Sequence, residues 1–74
     1  MEELEVYFQT MDDVVAFVRR ANQIEADVDL RFGHILVDAK SLQGVIAMGL
    51  GSHARAVIHS TDRELLEVLR GKES

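Results

Sequence analysis

Cysteine, proline and tryptophan are all missing from this 74-residue chain, and aromatic residues make up only 5% of it. Without cysteine there is no disulfide scaffold and no thiolate chemistry. Without proline there is no rigid linker, and no low-complexity stretch or internal repeat marks a domain boundary. No apolar run approaches the roughly 18 residues a membrane helix needs. Met1-Glu2-Glu3-Leu4-Glu5 is acidic where a secretory signal would be basic. These absences predict one soluble, cytoplasmic domain over residues 1–74. Positive charge is scarce too. Net charge is −5, and the longest basic cluster is Arg19-Arg20. A nucleic-acid-binding surface needs a concentrated positive stripe, so none is expected.

What is present is 47% apolar residues, enough for a small core. Leu4, Val6 and Phe8 alternate with polar neighbours and predict a first strand over Leu4–Gln9. Thr10, Asp12 and Asp13 start a helix, with a capping hydroxyl and early carboxylates. Met11, Val14, Val15, Val18 and Asn22 trace its stripe, and Phe17, Ala21 and Ile24 widen it. Asp27–Phe32 reads as a second strand, Gly33-His34 as a two-residue hairpin loop, and Ile35–Ala39 as a third strand. Leu42, Val45, Ile46 and Gly49 repeat at i, i+3, i+4 and i+7, the period of a helix face. Ser41 stands at its N-cap position, and Gly49 and Gly51 can stop it. Ala54–His59 reads as a fourth strand. Thr61-x-x-Glu64 reads as a capping box for a last helix, which buries Leu65, Leu66 and Leu69 and ends near Gly71. The order β-α-β-β-α-β-α predicts an α+β fold of two layers, an antiparallel sheet with helices on one face.

The stretch Lys40-Ser41-Leu42-Gln43-Gly44-Val45-Ile46-Ala47-Met48-Gly49-Leu50-Gly51 resembles the segment around the regulatory serine of HPr, the phosphocarrier of the bacterial sugar phosphotransferase system. Ala26–Phe32 with Gly33 is similar to that family's second strand and hairpin, and the likeness runs ungapped over roughly positions 21 to 70. It implies an open-faced β-sandwich with sheet order 1-4-2-3. It also implies a phosphorylation site at Ser41, and a partner-binding surface on helix two at Lys40, Leu42, Gln43 and Ile46. Gln43 departs from the family, which has an apolar residue there.

The chain also departs from the family where the phosphoryl group is carried. In HPr the first strand leads to a loop reading roughly G-x-H-A-R-P, whose histidine accepts the phosphoryl group at a helix N-terminus. Here Phe8-Gln9-Thr10 runs straight into Met11-Asp12-Asp13, with no histidine before position 34 and no arginine before 19. Two carboxylates at that helix end would repel a phosphate. The resemblance therefore implies a diverged HPr-like protein without the phosphocarrier histidine. It would be a regulatory or adaptor module with protein partners, needing no cofactor or metal.

Other readings stay open at the residue level. Ser41 is either a plain N-cap or a cap that is also modified. Leu42, Val45 and Ile46 are either core or contact surface. His34 reads as a hairpin tip, His53 as loop and His59 as a strand end. His53 and His59 stand roughly 20 Å apart on extended chain, too far to share a metal ion unaided. Asp12-Asp13 reads as capping rather than as a catalytic pair, and Gly49-x-Gly51 as a turn rather than a phosphate loop. No acid, base and nucleophile converge, so a small enzyme is disfavoured. The alternative to an adaptor is a structural or assembly domain, a homodimer unrelated to sugar transport. A core this small gains from burying further apolar surface between copies.

Overall fold

The computed structural model describes residues 1–51 and 53–71. Its elements are β1 (Glu2–Tyr7), α1 (Met11–Ala21), β2 (Val28–Phe32), β3 (Ile35–Asp38), α2 (Leu42–Met48), β4 (His53–Ile58) and α3 (Glu64–Arg70). The strands form one antiparallel sheet in the order β1-β4-β2-β3. The element order and the open, two-layer α+β architecture are those the sequence predicts.

Period-two patterning decides which face is covered. Val28 and Leu30 of β2, and Ala54, Ala56 and Ile58 of β4, point into the core with Leu4 and Val6 beside them. The helices supply Val14, Phe17, Val18, Ala21, Val45 and Leu69 from above. Phe8 and Phe17 meet edge to face at 5.3 Å, which locks the end of β1 onto α1. The opposite face carries Glu3, Glu5, Tyr7, His53, Arg55, Val57, Asp29, Arg31, Leu36 and Asp38, and no helix among the described residues covers it.

Several boundaries differ from the expectation. β1 ends at Tyr7 rather than Gln9. Phe8 is buried, and its carbonyl accepts the Gly51 N–H at 2.8 Å instead of continuing the ladder. β4 starts at His53, one residue early, because His53 pairs with Tyr7 and stacks on its ring at 4.5 Å. His59 lies just beyond that strand. Met11 is 43% exposed rather than part of the core stripe. Asn22 is exposed as well, and its side-chain amide bonds backbone carbonyls instead of packing.

The capping box at Thr61 does not form. Glu64 N donates to Asp62 Oδ1 at 3.0 Å, and Asp62 N donates to Ser60 Oγ at 3.0 Å. Arg63 occupies the N-cap position without a side-chain cap bond. Two short side-chain turns therefore outcompete the single long one.

The hairpin loop is Gly33-His34, between paired Phe32 and Ile35. Gly33 takes φ +60°, as the first position of a tight hairpin turn requires. The distal end of α3 is closed from another element. Arg20 Nε donates to the Leu69 carbonyl at 2.8 Å and lies over Gly71.

Candidate functional site

Two helix N-termini could carry the chemistry, and they differ in what already occupies them. At α1, Thr10 Oγ1 accepts the Asp13 N–H at 3.2 Å. The Asp13 carboxylate turns back to accept the N–H groups of Gln9 at 3.0 Å and Thr10 at 3.2 Å. This is a complete capping box extended by one residue. An internal anion thus sits where an external one would be drawn by the helix dipole. Asp12 adds a second negative charge in the same turn. Arg19 and Arg20, the nearest arginines in sequence, lie in the last turn of α1, at its opposite pole.

The α2 N-terminus has no acidic residue in its first turn. Ser41 caps it, with Oγ accepting the Gly44 N–H at 3.2 Å. A Cβ at Gly44 would lie 3.5 Å from Ser41 Oγ and 3.6 Å from Val37 Cβ, so the helix seats closely on its cap. The preceding turn is held twice. Lys40 N donates to Asp38 Oδ1 at 2.9 Å, and Ser41 N donates to the Asp38 carbonyl at 3.0 Å. Asn22 then ties α1 to this turn, its Nδ2 donating to Val18 O at 2.8 Å and to Lys40 O at 3.1 Å. The sequence reading placed Asn22 in an apolar stripe, but it acts as a latch. An asparagine at a helix C-terminus was the one clue available.

Within α2 the face splits. Val45 is 1% exposed and belongs to the core, whereas Leu42 and Ile46 are 40% and 41% exposed. Gln43 is exposed and Lys40 half-buried. Leu42, Gln43 and Ile46 therefore share the outer surface beside Ser41, and Leu50 follows them at 49% exposed. The Gly51 N–H bond to the Phe8 carbonyl brings this α2–β4 loop against the start of α1. Met11, which the helical periodicity places in the apolar stripe, and Leu50 are exposed apolar residues at these two ends.

The histidines are dispersed. His34 is the hairpin tip, His53 stacks on Tyr7, and His59 Nε2 meets Asp29 Oδ2 at 2.7 Å. Among the described residues no group of three or more His, Cys, Asp or Glu is placed to hold a metal ion. No helix among them is long and apolar enough to cross a membrane.

Solved structures decide the comparison. One similar structure is HPr-C-His from Thermoanaerobacter tengcongensis, with a TM-score of 0.79 at 19% identity, over 96% of this chain and 89% of that one. Another is the phosphocarrier protein HPr from Bacillus anthracis str. Ames, with a TM-score of 0.72 at 26% identity, over 95% of this chain and 93% of that one. The fold is HPr-like. No family model and no curated protein matches the chain. In the HPr-like frame the order β1-β4-β2-β3 is the one the sequence resemblance implied.

Proposed function

We propose that this protein is an HPr-like regulatory or adaptor module that binds protein partners through α2 and does not carry a phosphoryl group. One observation carries the reading: the N-terminus of α1 is closed by the chain's own Asp13 carboxylate. A phosphohistidine needs a histidine there and free N–H groups to hold the anion. The residues leading into α1 are Phe8, Gln9 and Thr10, with no histidine among them; the Asp13 carboxylate holds the Gln9 and Thr10 N–H groups just ahead of the helix, and Asp13 N bonds Thr10 Oγ1.

The partner surface is the outer side of α2, formed by Leu42, Gln43 and Ile46 with Lys40 at its rim. The exposure of two large aliphatic side chains one helical turn apart supports it, since such pairs anchor helix-face contacts. Ser41 is the regulatory position. Phosphorylation would place roughly −1.5 to −2 charge beside Lys40 and in the middle of that surface. It would change partner affinity without entering the core, because Ser41 is half-buried at the surface.

The test uses two measurements. The protein recovered from its host is weighed intact, and a gain of one acid-stable phosphoryl group at Ser41 is expected. Wild type and a Leu42→Ser/Ile46→Ser variant then serve as bait against the host lysate. A protein retained by the first and lost by the second, with circular dichroism unchanged, is the expected result. Identical captures would overturn the assignment of the surface.

A further inference from the structure

The uncovered sheet face holds charges that are nearly all matched. Glu3 and Glu5 flank the Arg55 guanidinium at 3.3 and 3.5 Å. Asp29 meets His59 at 2.7 Å. Arg31 is the arginine on this face without such a partner. Its guanidinium makes no ion pair or hydrogen bond among the described residues. Its direct cross-strand neighbours are Arg55 on β4 and Leu36 on β3. A like charge opposite is unfavourable, and the two glutamates that answer it bond Arg55 and not Arg31.

Arg31 borders a hollow of about 460 Å³ on this face, with Met1, Leu36, Val57, Glu3 and Asp29 also lining it. That volume is in the range of small-ligand sites. Val57 is only 6% exposed, yet it lies outside the hydrophobic core cluster. It is the apolar floor of the hollow. Leu36 and Met1, at 61% and 71% exposed, supply apolar walls with little protein cover.

We propose that this hollow binds a small organic monocarboxylate with an aryl or alkyl body. The carboxylate lies against the Arg31 guanidinium, whose paired N–H groups match its two oxygens. The hydrocarbon part rests on Val57 and covers Leu36 and Met1, whose exposed apolar surface it removes from water. The charge arrangement selects one negative charge. An ammonium in the same place would face the Arg31 guanidinium. A dicarboxylate would bring its second charge toward Glu3 and Asp29, which already have partners. Because the chain's net charge of −5 works against any anion at long range, affinity rests on contact and falls in the millimolar range.

The probe is 3-phenylpropionate, titrated into ¹⁵N-labelled protein and followed by amide chemical shifts. Saturable shifts at residues 29, 31, 36 and 57 are expected. 3-Phenylpropanol and 3-phenylpropylamine should bind weaker by about two- to fivefold, the scale of an exposed charge pair. Arg31→Gln should lose about the same factor for the acid while leaving the alcohol unaffected. Leu36→Ser should weaken both. Both side chains are exposed, so circular dichroism of each variant should match wild type. Absence of saturable shifts at these amides, equal affinity for acid and alcohol, or an unchanged Arg31→Gln variant would overturn the proposal.

Discussion

Asp13 is the residue on which the functional reading turns. It accepts two N–H groups and gives its own N–H to Thr10. It is therefore a structural anion at the N-terminus of α1. Asp13→Ala should destabilise the protein by about 0.5–2 kcal/mol, the usual value of an N-cap interaction. Urea denaturation checks this, and an unchanged midpoint would mean that the cap contributes nothing. Ser41 has a different balance. Ser41→Ala removes the bond to Gly44 N and should cost about 0.5–2 kcal/mol. Ser41→Asp keeps an N-cap acceptor and adds charge at the favourable end of the dipole, so stability should stay near wild type. Asp38, held against Lys40 N, opposes that charge only through solvent-screened repulsion. If Ser41→Ala matched wild type while Ser41→Asp unfolded, the cap assignment would fail.

At the scale of elements, α2 is short and α1 is not. With seven residues and one fully buried side chain, Val45, α2 has little packing of its own. Its amides should exchange with solvent faster than those of α1 and β4, a difference that native-state hydrogen exchange reads directly. Equal protection would show that the Asn22 latch and Ser41 cap hold it more firmly than its burial implies. α3 depends on α1 through Arg20. Arg20→Ala leaves the Leu69 carbonyl without that donor and should cost about 1–2 kcal/mol, seen as a lower melting temperature.

Much of this scale was legible in the sequence. Val28, Leu30, Ala54, Ala56 and Ile58 fixed their strands by simple alternation, and Ser41 with Gly49 bracketed α2. What was not legible came from long-range competition. Phe8 leaves the β1 ladder for Gly51, a partner 43 positions away and invisible to local pattern. Thr61 loses its box to Asp62, a choice between near-equal local turns. Periodicity placed Leu42, Val45 and Ile46 together, yet only packing separates the buried Val45 from its exposed neighbours. Strand order came from the resemblance alone, since alternation says nothing about which strand lies next to which.

For the whole molecule, the fold is HPr-like, and the function proposed above separates it from phosphocarrier chemistry. The sheet order and the three helices are those of an HPr-like fold, while the N-terminus of α1 carries the chain's own Asp13 carboxylate. A fold does not determine an activity, which lives in the site placed on it. The most direct test of this account is intact-mass measurement after incubation with phosphoenolpyruvate and the first enzyme of the phosphotransferase system, with an authentic HPr as the positive control. The account predicts that the control gains one phosphoryl group and this protein's mass does not change. An acid-labile gain of one phosphoryl group on this chain would contradict it, and would make His34, His53 or His59 the acceptor.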